Sequence, residues 1–254
     1  MAPFYKTAAA FCLVGLFGLQ CGAQTPATYK YEVAKVGEDA YLTVNLARNG
    51  QISAKTSLVE KDTELVGTLE TKVKADEAEP KASCDELLTE DLKKLFNVTV
   101  DNKDNPDYRK LVQDALNTGL TDFGATYPAD TSAWRNIWGN AKLLSVLHLL
   151  GASSTKVACV IANCVKTAGD VGVLSESDDA PEKSVLFCEL KPAAAENEAA
   201  FSEEYFKELK ERTTQLKDMK EEDLEDPIVT SSANVAVPSI LTAGLGAILA
   251  AISA

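Results

Sequence analysis

Apolar positions recur at helical spacing through the first 150 residues of the chain and then give way to short, continuous β-branched runs. In EDAYLTVNLARNG the pattern predicts a helix from about Glu38, stopped at Asn49-Gly50 by a pair able to take positive φ. KDTELVGTLETKVKA sets Leu65, Leu69 and Val73 four apart, with Val66 beside them and Asp62 as N-cap. DEAEPKA follows as a charged, Pro-containing linker. SCDELLTEDLKKLF then places Ser83 and Glu86 at capping-box spacing ahead of a Leu88, Leu92, Leu95 stripe, which predicts a third helix. DNPDYRKLVQDALNTGLTDF predicts a fourth, capped by Asn105 with Pro106 at its first position and Tyr108, Val112 and Ala115 on one face. DTSAWRNIWGNAKLLSVLHLLG predicts a fifth, with Trp134, Ile137, Trp138 and Ala141 in 3–4 spacing.

The period then changes. TKVACVIANCV and SVLFCEL read as neighbouring strands, antiparallel, joined by a loop rich in Gly, Ser and Asp. A last helix is predicted in AAFSEEYFKELKERTTQLKDM, with Ser202 as cap, Glu203 and Glu204 complementing the dipole, and Phe201 with Phe206 as a hydrophobic staple.

Both ends of the chain are apolar, the first with a single charge and the last with none. MAPFYKTAAAFCLVGLFGLQCGA carries one early cation, Lys6, an apolar run and a small-residue close, the order of a secretory signal peptide cleaved after Ala23. At the other end, twenty residues from Val235 to Ala254 could cross a bilayer core of about 30 Å. No Lys or Arg follows them, as a stop-transfer anchor would have. Ser231, Ser232 and Ala233 are small enough for a glycosylphosphatidylinositol (GPI) attachment site. The polar spacer expected after such a site is short; a site near Asp226 would lengthen it but is bulkier. The expected organisation is therefore a removed signal peptide at 1–23, one ectodomain at 24–226, and a linker with a GPI signal at 227–254.

The formal charge is −13, and loss of Lys6 takes the mature chain to −14. A surface of that sign repels nucleic acid and anionic lipid headgroups as partners. About two hundred residues suffice for one core, so a single domain is expected. Four cysteines remain after processing: Cys84, Cys159, Cys164 and Cys188. In an oxidising compartment they form two disulfides, with three possible connectivities. Cys159 and Cys164 are an odd number of residues apart, so on one strand they point to opposite faces and do not pair. Cys159 with Cys188 would then staple the two strands, leaving Cys164 for Cys84.

Enzymatic chemistry finds little material. The single His, His148, lies in an apolar run, and Ser or Cys nucleophiles need a base. The acidic pairs Glu90-Asp91, Glu203-Glu204 and Glu221-Glu222-Asp223 sit in charged runs of the kind that face solvent. No CxxC pair suggests a metal, no Gly-rich loop suggests a nucleotide, and no cofactor is expected. Asn97-Val98-Thr99 is a glycosylation sequon.

AYLTVNLARNG, PDYRKLVQDALNTGL, WRNIWGNA, LLGASSTKVACVIANC, LFCELKP and FSEEYFKELKERTTQLKDM, between a signal peptide and an apolar tail, together resemble the SAG family of Eimeria surface antigens across nearly the whole chain. That resemblance implies a GPI-anchored surface antigen on the outer leaflet, exposed to host antibodies and contacting a host-cell surface molecule. More distantly, Val44-Asn45-Leu46-Ala47-Arg48, VACVIANC and LFCELKP are similar to the CAP superfamily (cysteine-rich secretory proteins, antigen 5, pathogenesis-related 1). This implies an α+β fold, a three-layer α/β/α sandwich with a small antiparallel sheet flanked by helices. It also implies the pairs Cys84–Cys164 and Cys159–Cys188. CAP proteins often hold a metal between two His and two acidic residues, but the first of those His falls at Val44, so that site cannot be assembled. The resemblance leaves one alternative, a lipid or sterol binder with Trp134 and Trp138 lining a space between layers.

Overall fold

The computed structural model describes residues 27–74, 81–100, 105–167 and 181–225. Its centre is a sheet of β1 (Thr28–Lys35), β4 (Lys156–Thr167), β5 (Lys183–Lys191) and β3 (Phe96–Val100), in that order and antiparallel throughout. The two-residue β2 (Glu60–Lys61) pairs parallel with the start of β4. Helices α1 (Glu38–Asn49), α4 (Tyr108–Phe123) and α6 (Ala141–Leu150) cover one face. The other face carries α2 (Thr63–Lys74) and α3 (Glu90–Lys93). With α5 (Thr131–Trp138) and α7 (Glu203–Glu211) beyond the sheet, the chain is an α+β fold in the α/β/α sandwich that the CAP resemblance implies.

Strand alternation explains the two cores. On β4, Val157, Cys159 and Ile161 pack with α1 and α4 through Ala40, Val44, Ala47 and Val112. Ala158, Val160, Ala162 and Cys164 pack on the other side with Val66, Leu69 and Val73 of α2 and Leu92 of α3. Both faces are covered, so β4 reads as a nearly unbroken apolar run instead of an alternating one. A third cluster joins Phe123, Trp134, Phe201 and Phe206 at the edge of the α4 layer.

Several expected elements change shape. The predicted third helix is reduced to α3, because residues 82–88 form turns in which Ala82 donates to Glu86 Oε2, and Thr89 restarts the helix by accepting from Leu92 N. Leu87, not Leu88, is then the leucine fully buried. The predicted fifth helix is two: the Gly139 N–H closes α5 on Arg135 O, and the Asn140 side chain accepts from Lys142 N to start α6. The fourth begins two residues late, capped by Asp107 accepting from Lys110 N at 3.0 Å. Positive φ falls on Gln51, not Gly50; a Cβ at Gly50 would lie 2.6 Å from Met219 Sδ, so close approach is what glycine supplies there. Strands β1 and β3 add to the expected elements. Tyr29, Tyr31 and Val33 alternate with Lys30, Glu32 and Ala34, and Phe96, Val98 and Val100 alternate with Asn97 and Thr99; both are period-2 patterns of a half-buried strand. The Asp62 cap on α2, the Ser202 cap on α7 and the Phe201–Phe206 stack, with ring centroids 6.2 Å apart, are as expected.

Candidate functional site

The cysteines occupy the places that strand parity assigns. Cys159 stands directly opposite Cys188 in the β4–β5 register and bonds to it, with Cα atoms 4.1 Å apart. On the opposite face Cys164 bonds Cys84, which sits in the turn before α3, with Cα atoms 5.8 Å apart. One bond therefore joins two strands within the sheet. The other fastens the back helical layer to it.

At Val44, where the CAP resemblance would place a His, the side chain is packed in the core. Val44 is 1% exposed within a cluster that includes Tyr41, Tyr108, Leu149 and the Cys159–Cys188 pair. Among the described residues no group of three or more His, Cys, Asp or Glu is placed to hold a metal ion.

Polar chemistry concentrates instead one helical turn further on, at Arg48. Its guanidinium is fully buried and, among the described residues, faces no carboxylate. Nη1 donates to the carbonyls of Leu149 at 2.7 Å and Gly151 at 3.0 Å, and Nη2 to those of Ser57 at 3.2 Å and Ser154 at 3.4 Å. The Arg48 carbonyl in turn accepts the Tyr205 hydroxyl at 2.8 Å. Burial lowers the Arg48 pKa and drives that of Tyr205 up to about 12. Two further arginines also bond carbonyls, and Arg109 pairs in addition with the Asp39 carboxylate at 3.2 Å. Arg212 donates to the carbonyls of Leu46, Ala47 and Gly50 at the end of α1, and Arg109 to those of Leu216 and Met219. The planar five-donor fork of arginine suits this task, and lysine cannot span the same set. The sequence holds only four arginines among 25 basic residues, so three of the four join separate segments through carbonyls. That scarcity was the available signal, and sequence reasoning passed over it.

His148 lies on α6 with its ring 5.3 Å from that of Trp138 and its Nε2 buried without a hydrogen-bond partner. Burial depresses its pKa, which keeps the imidazole neutral near pH 7. Trp134 and Trp138 are 3% and 5% exposed; they are packed in the aromatic cluster, and Trp138 Nε1 donates to Glu198 O at 2.7 Å. They fill core. Glu90 is solvent-exposed, with its carboxyl pKa lowered by the hydrogen bond from Lys93 at 2.7 Å, and Asp91, Glu203, Glu204, Glu221 and Glu222 are exposed as well. Asp223 is half-buried, its carboxyl lowered first by the backbone N–H of Lys220 and then by Gln51.

Three open depressions border α7, of about 270, 250 and 280 Å³. Each is below the roughly 300–1,000 Å³ range of small-molecule pockets. Asn97 is half-buried on β3, and Ser231, Ser232, Ala233, Asp226, the signal segment and the apolar tail lie outside the described residues. No described helix is long and apolar enough to cross a membrane.

No family model matches the chain, and no curated protein is similar to it. Among solved structures, the crystal structure of hookworm platelet inhibitor, a CAP-superfamily protein, is similar at 12% identity and a TM-score of 0.39. The likeness covers 67% of this chain and 79% of that one. At so low a score it says nothing about function or about individual residues.

Proposed function

We propose that the chain is a lipid-tethered surface protein of the Eimeria SAG type. It is a non-enzymatic display and adhesion head on the outer leaflet that contacts a host-cell surface molecule and meets host antibodies. The observation that carries this reading is the pair of disulfides on opposite faces of one strand, Cys159–Cys188 and Cys164–Cys84. Such stapling belongs to proteins that fold in an oxidising compartment and work outside the cell. The apolar segments near the two ends agree with that route: the first suits entry to the secretory pathway and the last suits exchange for a GPI anchor.

The ligand-carrier alternative relied on Trp134 and Trp138, which are spent in the core. Hydrolysis would have to run through His148, whose ring packs on Trp138. Adhesion therefore rests on the outer surface, which is acidic. Its contacts should be measured near 0.15 M salt, where the Debye length is about 8 Å and nonspecific attraction to basic proteins is screened.

The test is antibody staining of intact, unpermeabilised cells expressing the full chain, followed by binding of the released head to host cells. Surface staining with saturable binding at physiological salt is expected. Staining only after permeabilisation would overturn the reading.

A further inference from the structure

Asn97-Val98-Thr99 is the single N-x-S/T sequon in the sequence, and its place in the fold gives it a use that the display reading does not supply. Among the described residues strand β3 is an edge strand, paired only with β5. Phe96, Val98 and Val100 turn toward the α1–α4 core, so alternation sends Asn97 and Thr99 to the other face. There Thr99 is exposed and Asn97 is half-exposed at the rim.

The backbone of Asn97 is already satisfied on its open side. Its N–H donates to Ser145 Oγ at 2.9 Å, and Ser145 Oγ donates back to the Asn97 carbonyl at 3.3 Å. A hydroxyl on α6 thus closes the edge at this residue, which leaves the side chain as the group still able to react. The carboxamide Nδ2 carries two hydrogens, and one of them donates to Leu95 O at 2.9 Å. Among the described residues the second has no hydrogen-bond partner. The Thr99 hydroxyl lies two residues on, along the same face.

We infer that Asn97 carries an N-linked glycan, standing off the rim of the sheet beside β3 and α3. In the transfer, Nδ2 loses one proton to a base of the transferase and bonds to the anomeric carbon of an oligosaccharide borne on a polyprenyl diphosphate. The anomeric C–O bond breaks, and the diphosphate leaves with its electron pair. The remaining N–H can keep the bond to Leu95 O, so modification and the folded strand are compatible. The sugar covers the outer rim of β3, hiding that part of the head from antibodies.

The inference rests on the display reading only for entry into the secretory pathway. Its test is the full chain made in secreting eukaryotic cells, with mass measured before and after peptide N-glycosidase. The expected result is loss of one core oligosaccharide with Asn97 converted to Asp. Thr99→Ala should give the bare mass and Thr99→Ser should keep the shift. Both variants leave Asn97 and its backbone bonds in place, so a folding defect would show separately, as loss of the two disulfides on nonreducing peptide maps. A disulfide-bonded, surface-stained chain with the bare mass would overturn the glycan and leave the display reading intact. A chain lacking both surface stain and disulfides would overturn both.

Discussion

The two faces of the sheet are covered by different means. On the front, α1, α4 and α6 supply twelve, sixteen and ten residues of helix, and their apolar stripes meet the strand directly. On the back, only α2 is of comparable length; α3 has four residues, and turns lead into it. The front layer coheres by packing and by the Arg48 carbonyl cluster that ties α1 to the end of α6. The back layer has too little helix for that, and the Cys84–Cys164 bond fastens its least regular part to β4. Where regular structure is short, a covalent link replaces it; where helices are long, one buried cation joins them.

That contrast can be broken most severely at the cysteines. Cys84 and Cys164 close a loop of 80 residues, and loop-closure entropy puts the loss of that bond at about 4.5 kcal/mol. The 29-residue loop of Cys159 and Cys188 gives about 3.6 kcal/mol on the same relation. Replacing both Cys84 and Cys164 by Ala should lower the urea midpoint more than replacing the other pair. Hydrogen exchange should accelerate in α2 and α3 while α1 and α4 stay protected. Equal acceleration on both faces would refute the division of labour.

Arg48→Ala is the matching break in front. It strands three buried carbonyls and the partly buried one of Ser57 and costs about 4 kcal/mol, read as a fall in unfolding midpoint at unchanged denaturant slope. Arg48→Lys should recover little of it, since an ammonium cannot reach four acceptors arranged around a fork. Leu69→Ala, in the middle of α2 and fully buried, should cost about 3 kcal/mol.

Tyr205 gives the comparison a pH dependence. Its phenol is buried and titrates at about 12, above the ordinary value of 10.0. The unfolded chain loses that proton first. The phenol's contribution is therefore complete below pH 10 and is lost as pH rises toward 12, on the order of 2 kcal/mol. Tyr205→Phe should flatten the alkaline limb of a stability-versus-pH curve. It should also remove the hydrogen bond to Arg48 O, at about 1 kcal/mol. Thr89→Ala is the mildest change: loss of the α3 cap should cost about 1 kcal/mol and should loosen the turn around Cys84 first.

The front layer was largely legible in the chain because a helix of ten or more residues repeats its apolar stripe three times. Tyr108 and Val112 on α4 announce their face without help from tertiary structure, and so do Leu65, Leu69 and Val73 on α2, the one long helix of the back layer. The back layer was harder because its signals overlap. Leu88, Leu92 and Leu95 fit a helical stripe, but Thr89 caps a new helix inside it and Phe96 begins a strand at its end. Parity on β4 placed the cysteines because alternation on a strand is strict. The arginine contacts were not legible: their partners are backbone carbonyls up to 166 residues away, and a carbonyl has no letter in a sequence. The helical spacing of Trp134 and Trp138 already favours core packing, whereas the residues they pack with on α7 come only from the fold.

The most direct measurement is treatment of intact cells expressing the full chain with phosphatidylinositol-specific phospholipase C, followed by mass analysis of the released C-terminus. Release of a head ending near Ser231 to Ala233 and bearing the glycan remnant is expected of a GPI-tethered display protein. Retention on the cell with residues 235–254 intact would contradict it.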